Sequence, residues 1–208
     1  MRPQNIYNQL LKNYGPQNWW PVSCANRQSE EAMFEICLGA ILTQHTAWTN
    51  VEKAIAMLIQ KKLISPKVIS KTRANVLEKI IKSSGFFRQK TKKLKIFSKF
   101  VLDNYAGRLS LMFRAPLTNL RRELLSLWGL GPETVDSMLL YAGDKPVFVI
   151  DNYTKRLCQK YGICFKRYDD YQKFFEDKLA KLRTRDKVKL YQEFHALIVR
   201  WGKEKTLI

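Results

Sequence analysis

Apolar residues recur at helical spacing along almost the whole chain. Phe34, Cys37, Leu38, Ile41 and Leu42 predict a helix near 31–43, and Val51, Ile55, Leu58 and Ile59 one near 50–62. Val76, Leu77, Ile80 and Ile81 predict a helix near 72–82, and Leu94, Phe97, Val101 and Tyr105 one near 88–106. Leu117, Leu120, Leu124 and Leu127 mark a helix near 117–127, with others expected near 134–142, 152–161, 168–181 and 186–203. Ser65-Pro66 reads as an N-cap with proline in the first helical position. Ser83-Ser84-Gly85 and Gly107 read as helix stops. Only "VFVI", 147–150, looks extended, and it is too short for a sheet. No repeat and no low-complexity linker interrupts the pattern, so the expected fold is all-α, in two compact helical lobes.

Composition narrows the partners. The 208 residues suit one large domain or two small ones, and 46% hydrophobic content supplies a core. No apolar run approaches the roughly 18–20 residues of a membrane span. The start, "MRPQNIYNQLLKNYG", has no signal-peptide core. The four cysteines, Cys24, Cys37, Cys158 and Cys164, form no CxxC pair, which suggests free thiols in a reducing, intracellular (cytoplasmic) setting. The 37 Lys+Arg against 18 Asp+Glu give a net charge of +19, a field that attracts polyanions and above all nucleic acid. A membrane surface fits less well, because no basic helix with a greasy face stands apart. The 88–106 helix carries Arg88, Lys90, Lys92, Lys93, Lys95 and Lys99. Its single apolar face puts the lysines outside, either on phosphates or simply in water.

One stretch stands out: "LWGLGPET", 127–134, between two predicted helices. Gly129 and Gly131 leave backbone N–H groups uncovered, and the following helix adds its positive N-terminus. Pro132 suits the first turn of that helix. Such a turn is a phosphate grip or an ordinary helical hairpin. Downstream, "KPVFVIDNYTKRL" brings Asp151 to the start of the next helix, where it is a plain N-cap or something more.

This pairing resembles the helix-hairpin-helix DNA glycosylases of the endonuclease III superfamily. Their hairpin has the form L-x-G-h-G-x-x-T/S-A and is followed by an essential aspartate. Here the hairpin is Leu127 to Val135 and the aspartate is Asp151. "LGAILTQHT" (38–46) is similar to the family stretch ending in a glutamine that wedges into the duplex, which makes Gln44 the wedge. "SGFFRQKTKKL" (84–94) is similar to its "GFYNQKAKRL" segment, and "NWWP" (18–21) to the third class of 3-methyladenine glycosylases. The resemblance implies a helical barrel domain over 33–145 and a second helical domain made of 1–32 and 146–208. The active site is then expected in the cleft between them. It implies Gly129, Gly131 and Thr134 on DNA phosphate, and a Na or K ion on the main-chain carbonyls of Leu125, Leu127 and Leu130.

Departures from the family bear on the chemistry. Lyase-active members carry a lysine two residues after the second hairpin glycine, where this chain has Glu133. A carboxylate forms no Schiff base, so base removal without strand cleavage is expected. No cysteine follows Cys164, so no iron–sulfur cluster is expected, nor any other cofactor. Asp151 is expected to stabilise the positive charge that builds on the deoxyribose. An N3- or N7-methylated purine is itself a cation with a weakened glycosidic bond. Trp19, Trp20, Pro21 and Trp48, with Lys203, are expected to line its pocket. Any of the tryptophans is otherwise core filling, and Lys203 otherwise stabilises a helix end. His45 and His195 are isolated and make no metal site.

The expected activity is thus base-excision repair. The enzyme would be a monofunctional, monomeric DNA glycosylase acting on alkylated purines in double-stranded DNA, without a membrane partner. Two alternatives remain at this level. One is the same fold acting on mismatched thymine, uracil, adenine or 8-oxoguanine. The other is a non-catalytic hairpin module that binds DNA and has no use for Asp151.

Overall fold

In the computed structural model, residues 2–19, 26, 28–180 and 186–204 are described, and no β-strand occurs among them. The first helices are α1 (Pro3–Tyr14), α2 (Glu30–Leu42), α3 (Trp48–Gln60), α4 (Pro66–Lys71), α5 (Ala74–Ile80) and α6 (Phe87–Tyr105). Then come α7 (Leu109–Met112), α8 (Leu117–Leu125), α9 (Pro132–Tyr141), α10 (Asn152–Lys160), α11 (Tyr168–Leu179) and α12 (Lys187–Glu204). The chain divides into two compact units, Met1–Trp20 with Asp144–Ile208, and Pro21–Gly143.

In the Pro21–Gly143 unit, α2 is the core helix. Residues on all its faces are buried, from Ala32 and Phe34 to Ile41 and Leu42. It packs against α3, α6, α7 and α9. Its start is capped by the Ser29 hydroxyl, which accepts from the Ala32 N–H at 3.1 Å, and Glu30 and Glu31 suit the positive end of the helix dipole. Phe34 stacks on Phe97 of α6 at 6.1 Å between ring centroids. The helix expected over 72–82 ends earlier, at Ile80, and tightens into a 3-10 turn over Lys82–Ser84. The Ser84 hydroxyl donates to the Ile81 carbonyl at 2.7 Å, and Gly85, at φ 65°, ends the run. The single-turn helix α7 escaped sequence reading because its cap is remote. The Glu30 carboxylate, on α2, accepts from the N–H groups of Leu109 (2.6 Å) and Ser110 (3.2 Å).

The lysines of α6 correct the expectation that they all face outward. Lys90 is buried, and its ammonium donates to the Leu42 carbonyl at the end of α2. The Lys95 ammonium reaches the carbonyls of Ser70 (2.8 Å) and Thr72 (2.7 Å) at the end of α4. The reason is geometric. Helix C-termini leave carbonyls without intrahelical donors, and a long lysine stem crosses apolar surface to satisfy them.

In the other unit, Phe148, Phe175 and Phe194 form a buried aromatic knot, with Phe148 stacked on Phe175 at 4.4 Å. Helix α1, which periodicity did not single out, buries Ile6 and Leu10 and packs on α11 and α12. The "VFVI" run is fully buried yet belongs to no strand. Side chains of α11 take the place of a strand partner. The Phe148 N–H donates to Glu176 Oε1 at 2.9 Å, its carbonyl accepts from Gln172 Nε2 at 2.8 Å, and the Ile150 N–H donates to the Tyr168 hydroxyl at 3.2 Å. A buried amide left without such a partner is costly. These three bonds therefore set the backbone that leads into Asp151.

Candidate functional site

Helices α8 and α9 form the expected hairpin. Leu120, Leu124, Val135, Met138 and Leu139 are buried along it. Arg121 of α8 grips the fully buried Asp136 of α9 in a fork, with Nε to Oδ1 at 2.7 Å and a terminal nitrogen to Oδ2 at 3.1 Å. Gly129 lies at φ 82°, and a Cβ added there would come within 2.5 Å of Lys93 Cε. Gly131 is different. It caps α9 at φ −89°, and nothing lies within 4 Å of where its Cβ would be. Glu133 stands exposed in the first turn of α9.

Gln44 is joined to this hairpin. Its Nε2 donates to the Gly129 carbonyl at 3.1 Å and to the Thr134 hydroxyl at 2.8 Å, and its Oε1 accepts from Lys93. The Thr134 side chain is therefore buried as a keystone of the turn. Leu127 and Leu130 close the loop, the Leu130 N–H donating to the Leu127 carbonyl at 3.2 Å. Trp128 at the tip is 49% exposed, with the Lys92 ammonium 4.2 Å over its ring.

Sequence reading missed Phe86. It is 65% exposed at φ 43°, and its ring meets that of His45, itself at φ 52°, edge to face at 6.4 Å. With Gln44, Gln89, Lys90 and Lys93 they line a cavity of about 310 Å³. The available signal was an aromatic residue placed directly after the helix-stop Gly85.

In the other unit, Asp151 is the N-cap of α10. Its Oδ1 accepts from the Thr154 N–H (2.7 Å) and hydroxyl (2.8 Å). Its Oδ2 lies 3.4 Å from Nε2 of the buried His195 on α12. Burial pushes the carboxyl pKa up, but His195 and the two Thr154 bonds outweigh it and hold it below the usual carboxylate value. The cap thus uses Oδ1, while Oδ2 faces His195.

The expected pocket residues fall in both units. Trp48 opens α3, half-buried, its indole N–H donating to Glu52 Oε1 at 2.8 Å. Trp19 is exposed in the other unit, after a turn whose Gln17 and Asn18 N–H groups donate to the Glu193 carboxylate at 2.5 and 3.3 Å. Lys203 is exposed in the last turn of α12. Trp20 and Pro21 lie outside the described residues. Among the described residues no cluster of three or more His, Cys, Asp or Glu could hold a metal ion, and no helix is long and apolar enough to cross a membrane.

The profile of the HhH-GPD superfamily of base excision DNA repair proteins matches residues 38–184, a span that includes the hairpin and Asp151. The chain belongs to that superfamily. The Methanocaldococcus jannaschii protein named "Putative DNA repair glycosylase MJ1434" is 41% identical over 198 residues, 93% of this chain and 84% of its own. Endonuclease III of Thermotoga maritima is 28% identical over 129 residues, 62% of this chain and 56% of its own. Among solved structures, H. pylori 3-methyladenine DNA glycosylase (MagIII) bound to 1,N6-ethenoadenine superposes with a TM-score of 0.83 at 30% identity, covering 99% of each chain. A non-covalent endonuclease III–DNA complex shares the fold with a TM-score of 0.71 at 22% identity, covering 95% of this chain and 85% of that one. By family and relatives, the HhH-GPD chain is a DNA glycosylase.

Proposed function

We propose that this glycosylase hydrolyses the N-glycosidic bond of alkylated purines such as 3-methyladenine in double-stranded DNA and leaves the strand intact. The observation that carries the reading is the Asp151 carboxylate. Thr154 orients it through Oδ1, His195 and Thr154 hold it anionic, and Oδ2, beside His195, is the oxygen assigned to the chemistry. A carboxylate with a depressed pKa is a weak base, so its role is to stabilise the cationic sugar and align water rather than to strip a proton. A purine that already carries positive charge needs little help in leaving. The likeness to MagIII over the full chain supports that substrate class. Trp48 and Trp19, with Trp20, Pro21 and Lys203, are assigned to the base pocket, where aromatic faces suit a cationic ring. Glu133 supports hydrolysis without a Schiff base.

In the Pro21–Gly143 unit the hairpin grips DNA. The open space over Gly131 and the first-turn amides of α9 suit a phosphate. Because the Thr134 hydroxyl is bonded to Gln44, its backbone amide is the phosphate ligand. The carbonyls of Leu125, at the end of α8, and of Leu127 and Leu130, in the loop that follows, have lone pairs that suit a Na or K ion steadying the turn. Gln44 and the exposed Phe86 ring meet the opened duplex, the base having left the stack.

The test is direct. Duplexes carrying 3-methyladenine, 7-methylguanine, uracil, a T·G pair or 8-oxoguanine are incubated with the protein. Free base and strand scission are then measured separately. Methylated purine is released and the strand stays whole until alkali is added. Release of another base in its place redirects the substrate assignment, and scission without alkali overturns the lyase-free reading.

A further inference from the structure

Lys90 is the least expected cation in the molecule. It is 1% exposed, and its ammonium donates to three neutral oxygens, the Leu42 carbonyl (2.7 Å), the Thr46 hydroxyl (2.7 Å) and the Ser84 carbonyl (2.5 Å). Leu42 ends α2, where carbonyls lack intrahelical donors and the helix dipole is negative. Thr46 closes the turn that carries Gln44 and His45. Ser84 ends the 3-10 turn that leads to Phe86. The ammonium bonds to both turns, and the Thr46 hydroxyl also donates directly to the Ser84 carbonyl, so the two turns are fastened to each other through Lys90 and by one bond of their own. Each turn holds a non-glycine residue at positive φ, His45 and Phe86. Such backbone persists only where its surroundings over-determine it. Burying a charge is costly, and here three hydrogen bonds to neutral oxygens offset that cost while satisfying carbonyls that an apolar side chain would leave bare.

We propose that Lys90 is a positioning residue for duplex recognition, its ammonium holding the Gln44–His45 turn and the Phe86 turn in the strained pair of conformations that meets DNA. This rests on the reading that these turns face the duplex. The titratable groups lining the cavity with Lys90 are Lys93, from the same helix, and His45, from the 43–46 turn. Burial, and then repulsion from Lys93, bring the Lys90 pKa down to about 8. A neutral amine has two donors for three oxygens, so one fastening is released as pH rises through that value. Stability moves the other way. Between about 8 and the ordinary lysine value of 10.5 the unfolded chain holds a proton that the folded chain has lost, so the fold gains stability with pH. Affinity that falls while stability rises is a pattern that a purely structural lysine does not produce.

Fluorescence anisotropy with a labelled duplex carrying a tetrahydrofuran abasic analogue tests this, from about pH 7 to about pH 9, a range that brackets the shifted lysine. The wild-type Kd rises about tenfold across the range, the scale of one charge-assisted hydrogen bond, while its Tm changes more favourably with rising pH than that of Lys90→Met. Lys90→Met binds about tenfold more weakly at the lower pH and shows no slope. Lys93→Gln keeps the pH dependence but moves its midpoint up, because the repulsion that helps lower the Lys90 pKa is gone. A flat wild-type curve, or an unchanged slope in Lys90→Met, overturns the proposal. If Lys90→Met does not fold, a Lys93→Gln curve that stays flat up to the ordinary lysine range overturns it just as well, by assigning the titration to Lys93. A wild-type protein that binds no duplex at any pH defeats instead the reading on which the proposal rests.

Discussion

Asp151 combines two duties that sequence reading set against each other. As an N-cap it stabilises α10 through Oδ1, and the proposed function assigns the chemistry to Oδ2, which lies beside His195. Replacing it separates the two. Asp151→Asn keeps a good cap, so the protein stays folded and bound to DNA while base release is lost; full activity in that variant would return Asp151 to capping alone. Asp151→Ala loses the cap as well and costs about 1 kcal/mol more in thermal or denaturant unfolding. The pH dependence follows from the lowered pKa. A carboxyl held below its unfolded value contributes stability above the unfolded pKa, and that contribution is lost as pH falls through the folded one. Acid melts of Asp151→Asn are therefore shallower than those of the wild type. Asp151 was legible because it stands at family spacing from a glycine motif. Its partner His195 was not, because nothing in a run of α12 residues says which one faces a cap in another helix.

At the scale of the hairpin, two glycines that look alike in sequence do different work. Gly129 needs its positive φ and the space that the Lys93 stem closes off, whereas Gly131 faces open space in an ordinary conformation. Gly129→Ala is expected to lower stability by about 1–3 kcal/mol through backbone strain alone, before the clash with Lys93. Gly131→Ala is expected to stay within about 1 kcal/mol of the wild type, the range of a cap substitution, yet to weaken duplex binding. Unfolding curves and anisotropy on both variants check this, and unchanged affinity in Gly131→Ala would remove the phosphate assignment. Helices such as α2 and α6 were readable because their apolar spacing is long and regular. Helix α7 was not, and although the 147–150 run was read correctly as extended and outside a sheet, its bonding was not legible either, since the backbone partners of both are side chains of Glu30, Gln172, Glu176 and Tyr168, far off in sequence.

For the whole molecule, a charge of +19 predicts binding that weakens steeply with salt. Not every lysine contributes to that slope. Lys92 is exposed over Trp128, so Lys92→Gln should flatten a plot of log affinity against log salt by about one phosphate contact. Lys95 is committed to the end of α4, so Lys95→Met should leave the slope alone and lower Tm instead. Equal slopes for Lys92→Gln and the wild type would detach that side of α6 from DNA. Net charge thus gave the partner class correctly and the addresses of the charges poorly, because composition does not distinguish a cation on phosphate from one capping a helix.

The side-chain brace around Phe148 gives α11 a second role. Its residues 168, 172 and 176 hold in place the backbone that presents Asp151, although none of the three bonds to the carboxylate itself. Opening of α11 releases the amides of Phe148 and Ile150 to solvent. Their hydrogen-exchange rates then report, from a distance, how often the carboxylate's seat is assembled.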